Sequence, residues 1–500
     1  MRPERRPRWH AGLLALPLLL IAVGLFSNRW QLGPGSAQPA DLPSTTVLDQ
    51  SEVALGLPVA SIWVEPAGLE DPITGILANV HSRGRAWERA GALSYFDEGR
   101  LQFSTRVGVR VHGGGSRYTS PVQSFRVYFR SEYGAEAFGP GLMFDGAADP
   151  VRRLIFHNDL RQGPFPSGGE GDWAFGNPLA YDIAERIGAI VPHTQPVRFF
   201  LNGEWAGVYV VTEYVDVPDN PEFFRVRFGH DRFSADLPAM EELWRWIRAL
   251  GRPLLLRQLA ERIDVENMTK WFLSAAFCAT GDAFQGPGQF HDDTRERGAW
   301  FWINWDMDQS FRAADLDSFY DLLQQPGERR RGRRDSEPRS YAVTAMLVDD
   351  PEYRAYFMRE FTRMLNHQVT PEFLDDRYRH YEAMARTYGV EDLRFLAPLR
   401  AFLSGRHDML WRLADRHLST GSPVALRLAA PAGGVLVDGS LVEGSFEGRY
   451  FPGTTLELAL PAATSRTVSH WDVDGTPRAE GARELRMRVD ADVTVAPVLR

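Results

Sequence analysis

Two aspartates at the end of an aromatic stretch are the residues whose types and spacing could do chemistry. The stretch Ala299–Phe311 reads Ala-Trp-Phe-Trp-Ile-Asn-Trp-Asp-Met-Asp-Gln-Ser-Phe and predicts a buried strand. Because side chains alternate along a strand, Asp306 and Asp308 would share one face. Hard cations such as Mg²⁺ are held by one or two carboxylates together with substrate phosphates. The pair therefore predicts a divalent-metal site, and the alternative is that both aspartates only begin a solvated turn.

A third aspartate, Asp282, stands shortly before that stretch. A charged helical pattern runs from Asp236 to Asn267, continues to Ala279 and is followed by Thr-Gly-Asp. A glycine-containing loop then leads into the aromatic stretch. In this order of helix, aspartate, loop and acidic strand end, Asp282 could face Asp306.

A glycine-rich turn between two predicted strands is the second place with potential ligand chemistry. Residues 107–111 and 124–130 alternate as strands, and Gly113–Arg117 reads Gly-Gly-Gly-Ser-Arg. Backbone N–H groups of such a turn can cover phosphates, with Ser116 and Arg117 as further donors. The alternative is a plain hairpin, which is the commoner meaning of an isolated Gly-Gly-Gly turn.

A predicted hairpin places a carboxylate at the end of a buried strand. Asn202-Gly203 is a favoured two-residue turn between residues 196–201 and 205–213. Glu213 ends the second of these strands, an unusual position for a carboxylate without a partner. Before the hairpin, residues 177–190 predict a helix with Asn177 as its N-cap and Gly188 at its end.

Composition limits the classes of function. The chain has 500 residues, of which 44% are hydrophobic, so it can bury a large core and form two or more domains. A formal net charge of −9 argues against a general nucleic-acid binder. Cys278 is the single cysteine, so no intrachain disulfide can form. Lys270 is the single lysine, so any phosphate contact usually made by a lysine must fall to Lys270 or to arginine.

The N-terminus has the pattern of a signal peptide or signal anchor over residues 1–30. Four arginines precede an apolar run from Ala11 to Phe26. We therefore expect this segment to meet the membrane and the rest of the chain to be exported, either held at the cell membrane or released to the cell surface. Cleavage and anchoring remain equal alternatives. Residues 31–54, rich in Gly, Pro, Ser and Thr, predict a linker.

The C-terminal part changes in character. Helical spacing continues from Ala342 to about Leu418, whereas residues 419–500 contain short alternating strands separated by Gly and Pro. The pattern predicts helices followed by a separate small β domain. The strands most clearly predicted are residues 425–428, 434–437, 455–460 and 493–498.

Taken together, these elements resemble the CotH kinase family from about Gly75 to Leu418. The motifs that carry the resemblance are Trp87-Glu-Arg89 with Phe96-Asp97, Gly108–Arg117, Ser124-Phe-Arg126, Tyr133-Gly134, Asn202–Tyr209 with Glu213, Gly281-Asp282 and Trp305-Asp-Met-Asp308. The resemblance implies an α+β fold with an atypical protein-kinase-like domain over residues 106–418, which has mixed strands and a helical second half. Residues 55–105 would form its β-rich N-terminal part.

The resemblance also implies an activity and a set of site residues. The family is expected to move phosphate from ATP to protein Ser/Thr with Mg²⁺ or Mn²⁺, so the implied partner is a protein substrate. Asp282 matches the catalytic aspartate, and Asp306 and Asp308 match the metal-binding acids. The residues implied to contact the nucleotide are Gly113, Gly114, Gly115, Ser116, Arg117, Arg126, Glu213 and Gln289.

Two departures from the family pattern keep a second function open. Val122 stands where the family has a lysine placed for nucleotide phosphates, so Arg110, Arg117 or Arg126 would have to substitute. Gln285 or Gln289 would have to serve for an asparagine after the catalytic aspartate. The alternative is a pseudokinase or cell-surface binding protein without catalysis.

The C-terminal domain resembles bacterial repeat domains related to internalin B repeats. The elements are Gly448–Thr454, His470–Gly475 and Asp492–Val495. The resemblance implies an extracellular spacer or adhesive unit with no catalytic role.

Overall fold

The structure is a computed structural model. It describes residues 50–114, 116–119, 122–147, 150–158, 175–214, 224–225, 238–280, 288–291, 300–319, 341–390 and 393–500. The chain divides into two compact units: residues 1–163 with 193–216, and residues 164–192 with 217–500.

A closed barrel of seven strands forms the first unit. Its order is β1-β2-β3-β4-β5-β7-β6, and the barrel closes through a parallel pair between β1 and β6, all other pairs being antiparallel. The strands are β1 Val59–Val64, β2 Arg89–Asp97, β3 Arg100–His112, β4 Ser124–Tyr128, β5 Arg153–His157, β6 Thr194–Leu201 and β7 Glu204–Glu213.

Alternation along the strands fills the barrel interior. Val109 and Val111 of β3, Phe125 and Val127 of β4, and Phe156 of β5 belong to one buried cluster. A short helix, α1 Gln50–Val53, precedes β1. The connections between strands contain α2 Pro66–Glu70 and α3 Ser116–Thr119, with 3₁₀ turns at Arg85–Trp87, Ser131–Tyr133 and Pro140–Leu142.

The predicted Asn202-Gly203 hairpin is confirmed. Both residues have positive φ, 51° and 86°, as a two-residue turn between twisted strands requires. The Asn202 side chain also accepts from the N–H of Val64 and donates to its carbonyl, each at 2.8 Å. The turn thus fixes the register of the hairpin and connects it to β1.

Helices dominate the first part of the second unit. They are α4 Gly176–Arg186, α5 Pro238–Leu250, α6 Leu256–Leu259, α7 Val265–Cys278, α8 Tyr341–Asp349, α9 Pro351–Arg363, α10 Pro371–Tyr388 and α11 Leu396–Leu418, with a π-helical turn at Met364–Gln368. A three-stranded sheet of order β10-β9-β8 accompanies them, formed by β8 Phe224–Arg225, β9 Gly288–His291 and β10 Trp300–Ile303.

The central helix of this unit is α7. Asp264 caps it by accepting from the N–H of Asn267, and twelve of its fourteen residues are buried. A helix that is buried on nearly all sides belongs to the core. The prediction of one helical region from Asp236 through Asn267 to Ala279 is therefore corrected: Gly251 and Pro253 end α5, and the Asp264 cap begins α7 anew.

A two-sheet β structure ends the chain, as the alternating pattern predicts. One sheet has the order β14-β11-β19-β16-β17 and the other β13-β12-β15-β18, with Trp471 in the core between them. The strands are β11 Val424–Ala429, β12 Val435–Val437, β13 Ser440–Val442, β14 Ser445–Tyr450, β15 Thr454–Ala459, β16 Val468–Val473, β17 Thr476–Arg478, β18 Glu484–Val489 and β19 Val493–Leu499.

The predicted N-terminal signal segment lies outside the described residues. Within the described ranges, no helix combines the length and apolar character needed to cross a membrane.

Candidate active site

The two aspartates lie on a loop, not on a continuous strand. Strand β10 ends at Ile303, and Asp306 has a left-handed backbone with φ 62°. The predicted strand over Ala299–Phe311 is therefore too long, and the expected common strand face does not exist. Directly after β10, the Asn304 N–H donates to the Ile190 carbonyl at 2.9 Å.

Buried contacts fix the backbone of this loop. The N–H of Met307, between the two aspartates, donates to Oδ1 of Asn177 on α4 at 2.8 Å. Oδ1 of Asn304 accepts from Ser274 Oγ on α7 at 2.9 Å. The N–H of Phe311 donates to the carbonyl of Cys278 at 2.9 Å. The loop is thus held to both α4 and α7.

Asp306 and Asp308 stay half-buried, whereas Trp305, Met307 and Gln309 between and beside them are buried. Two half-buried aspartates on a fixed backbone suit a hard cation that completes its shell with phosphate oxygens and water. Among the described residues, no group of three or more His, Cys, Asp or Glu side chains could hold a metal by itself.

Asp282 lies outside the described residues, as do Gly115 and Gln285. Gln289 is described only as a backbone position of β9, where it pairs with Trp302. The chain that leads to Asp282 nevertheless has a defined start. Cys278 ends α7 four residues earlier, and its carbonyl accepts from Phe311.

The glycine turn of the barrel depends on Gly113 and Arg117. Gly113 has φ 114°, a backbone conformation that strains any residue with a side chain, and a Cβ there would also displace Ser116 Oγ. Arg117 donates to the carbonyls of Gly113 and Val80 at 2.8 Å, of Ser82 at 3.0 Å, and of Val111. Its guanidinium group therefore holds the turn together.

Two other basic residues considered for phosphate contact, Arg110 and Lys270, have carboxylate partners. Arg110 and Arg130 both pair with Glu88, whose side chain is 2% exposed. Lys270 pairs with Glu266 one helical turn away at 2.7 Å. In the sequence, Glu88 is recognisable only as part of the Trp-Glu-Arg motif. The ion-pair cluster of Glu88 with Arg110 and Arg130 could not be predicted from it.

Arg126 has a different environment on the barrel. Its Nη2 lies 2.9 Å from Nδ1 of His112, and its guanidinium group stacks over Tyr214 at 4.8 Å. Arg153 stacks over the same ring at 4.2 Å. In the described part of the chain, the buried Nε of Arg126 makes no hydrogen bond and no carboxylate forms an ion pair with this side chain.

Glu213 ends β7 and has a partner, as its position predicts. Its Oε1 accepts from the backbone N–H of His193 at 2.9 Å and lies 2.8 Å from Nδ1 of the same residue. The sequence pattern predicts Asn177 as the N-cap of its helix. The structure places it in the first turn of α4, where its amide oxygen serves Met307 instead.

A model of the CotH kinase protein family matches residues 109–222 and 232–395, more than half of the chain. The matched residues include Asp282, both aspartates of the loop, Arg126 and Glu213. The chain belongs to the CotH kinase family. The match ends at residue 395, before α11 and the two-sheet β structure.

Among solved structures, this CotH-family chain is similar to the crystal structure of a Helicobacter pylori proinflammatory kinase, CtkA. The identity is 8% and the TM-score 0.30, over 62% of this chain and 95% of that one. A TM-score this low carries no argument about function. No curated protein sequence matches the chain.

Proposed function

We propose that this CotH-family chain transfers the γ-phosphoryl group of ATP to Ser or Thr of a protein outside the cytoplasm. The observation that carries the proposal is the loop with Asp306 and Asp308. Asp306 and Asp308 are half-buried, and the backbone of the loop is held from both sides by Asn177 and Cys278. Phosphoryl transfer needs positioned charge more than covalent chemistry, and a fixed acidic loop supplies it.

In this proposal Asp306 and Asp308 hold Mg²⁺ or Mn²⁺. When bound, the cation neutralises charge on the nucleotide phosphates. Asp282 orients the acceptor hydroxyl and takes its proton as the new O–P bond forms and ADP leaves. The Gly113–Ser116 turn covers the phosphates with backbone N–H groups. Glu213 and Gln289 remain candidates for nucleotide contact.

Arg126 is our choice for the phosphate contact that Val122 cannot make. Arg110 is already neutralised by Glu88, and Arg117 donates four hydrogen bonds to backbone carbonyls. Arg126 instead neighbours His112 and an aromatic ring. A guanidinium group with unused donors binds phosphate oxygens in a forked geometry.

A pseudokinase or cell-surface binding protein is the second candidate, and Val122 favours it. Val122 packs against the apolar core of the barrel, so the position of the family lysine has become part of that core. For the C-terminal β structure we propose a spacer related to internalin B repeats. Export remains our proposal for the whole chain, with the N-terminal segment at the membrane.

Nucleotide binding and phosphotransfer to casein, each with Mg²⁺ and with Mn²⁺, test the proposal. We expect metal-dependent binding and transfer by the native chain, with transfer reduced at least 100-fold in both Asp306→Ala and Asp282→Ala. Only Asp306→Ala should also weaken binding. Absence of nucleotide binding in the native chain would exclude the kinase and leave the binding-protein alternative. A C-terminal alkaline phosphatase fusion tests export separately.

A further inference from the structure

A fully buried arginine lies on α11, outside the part of the chain that matches the family. Arg406 is 0% exposed, and its five hydrogen bonds go to four backbone carbonyls and one hydroxyl. Burial lowers the pKa of Arg406 to about 10, so the side chain still carries its charge at neutral pH. A buried charge of this kind is costly unless its surroundings are specifically arranged for it.

The first group of acceptors is the end of α7. Nε donates to the carbonyl of Phe277 at 2.9 Å and Nη2 to that of Ala276 at 2.5 Å. The last carbonyls of a helix have no partner within the helix, and they carry its partial negative charge. Arg406 therefore caps α7, whose partial negative charge offsets part of the charge of the side chain. This is the helix whose next residues lead to Asp282.

The second group of acceptors follows the acidic loop. Nη1 donates to the carbonyls of Ala314 and Leu316 at 2.8 and 2.7 Å, and Nη2 donates to Ser318 Oγ at 2.6 Å. Ser318 Oγ in turn donates to the carbonyl of Ala276 at 2.9 Å. One planar group thus joins the end of α7 to the segment that begins six residues after Asp308.

We propose that Arg406 is a positioning residue that fixes the end of α7, which precedes Asp282 in the sequence, against the Ala314–Ser318 segment that follows the loop of Asp306 and Asp308. The inference rests on the proposed function for the roles of these three aspartates. The guanidinium group of Arg406 has five N–H donors in a rigid fork, and these donors reach both segments at once. A lysine has three donors on one atom and cannot span the same set of acceptors. The helix that follows the family-matched region therefore completes the site.

Arg406→Lys in the full-length chain tests the inference, with Arg412→Lys as the matched control because Arg412 is exposed on the same helix. Hydrogen exchange is followed in peptides covering residues 276–280 and 306–319, beside steady-state kinetics well below the melting temperature. We expect faster exchange in both segments of Arg406→Lys alone, at least tenfold lower kcat per folded molecule, and KM for ATP within about threefold of the native value.

Three results would overturn the inference: faster exchange in only one segment, a uniform increase over the whole chain, or unchanged kcat despite faster exchange. If Arg406→Lys does not fold, Ser318→Ala removes only the hydrogen bonds of the Ser318 hydroxyl and lowers the stability less. This variant must then show faster hydrogen exchange in both segments. If the native chain transfers no phosphate, the proposed function fails. The exchange data then decide by themselves whether Arg406 couples the two segments.

Discussion

The amide oxygen of Asn177 accepts a hydrogen bond from the backbone N–H of Met307 at 2.8 Å, and both residues are buried. Met307 separates the two aspartates of the candidate metal site. The contact therefore holds the backbone between the two aspartates in place. It also makes α4 part of the site, although no residue of that helix was predicted to act there.

Asn177→Ala tests this relationship. It leaves the buried N–H of Met307 without an acceptor, which costs about 1–3 kcal/mol. We expect a lower melting temperature and Mn²⁺ affinity reduced about three- to tenfold in the presence of ATP, measured by electron paramagnetic resonance titration. Asn177→Asp keeps an oxygen at the position and should recover part of the melting temperature. Native Mn²⁺ affinity in Asn177→Ala would contradict the positioning role.

Val122→Lys tests whether the barrel still binds nucleotide where the family places its lysine. The lysine stem can cover the apolar surface that Val122 covers now, while the ammonium group reaches water or a phosphate. We expect KM for ATP to fall about three- to tenfold, with a stability cost of about 1 kcal/mol. Val122→Met is the control for size without charge. Equal KM values in the two variants would show that no phosphate reaches this position.

Glu88→Ala tests the arginine cluster of the barrel. Glu88 accepts from Arg130 at 2.9 Å, from Arg110, and from the hydroxyl of Tyr133 at 3.1 Å. Removing it leaves two partly buried guanidinium groups without their anion. We expect the free energy of unfolding to fall by about 2–4 kcal/mol. This loss is smaller than for breaking a fully buried ion pair, because water still reaches both arginines. Thermal melting followed by circular dichroism measures the effect.

The matched control is Glu132→Ala, because Glu132 and Arg85 form an exposed ion pair near the same cluster. Its expected cost is about 0.5 kcal/mol. The pH dependence gives a second check. Burial alone would raise the pKa of Glu88, but hydrogen bonds and charge from Arg130 and Arg110 hold it below the ordinary value of 4.5. The stabilisation is therefore present above pH 4.5 and lost as the pH falls through the lower folded-state pKa. Equal destabilisation by the two variants would exclude a special role for Glu88.

The parts of the fold with local signals could be predicted from the sequence. The Asn202-Gly203 hairpin depends on two neighbouring residues with positive φ, and the strands of the barrel depend on alternation. Closure of the barrel could not be predicted, because it needs a parallel pair between β1 and β6, which are far apart in sequence. No periodic pattern specifies such a pair.

The candidate site likewise has one part that could be predicted from the sequence and another that could not. The acidic pair was visible because Asp306 and Asp308 follow an aromatic strand. The residues that hold the site in place could not be predicted. Asn177 contacts a residue 130 positions away, and Arg406 contacts carbonyls 129 and 130 positions away. Each of them is a single polar residue on a helix. Such a residue has the same sequence pattern whether it faces solvent or a distant backbone group.

The attachment of the C-terminal β structure to the helices leads to the last prediction. The His367 ring of the π-helical turn stacks on Phe446 of β14, with centroids 5.1 Å apart and planes within 7°. The neighbouring Asn366 accepts from the N–H of Arg449 at 3.0 Å and donates to its carbonyl at 2.8 Å. These contacts cover the outer edge of β14.

Burial, with the charge of Arg363, lowers the pKa of His367 to about 4 from an ordinary value of 6.5. Between these values the unfolded chain binds a proton that the folded chain does not, so stability falls as the pH drops from 6.5 to 4. We expect protonation of His367 to lower the free energy of unfolding by up to about 2 kcal/mol between pH 7.5 and pH 5, as measured by urea denaturation. His367→Phe keeps the stacked ring without the titrating group and should flatten this dependence. The remaining slope belongs partly to His407, whose pKa burial also lowers. An unchanged slope in His367→Phe would mean that protonation of this ring does not weaken the attachment.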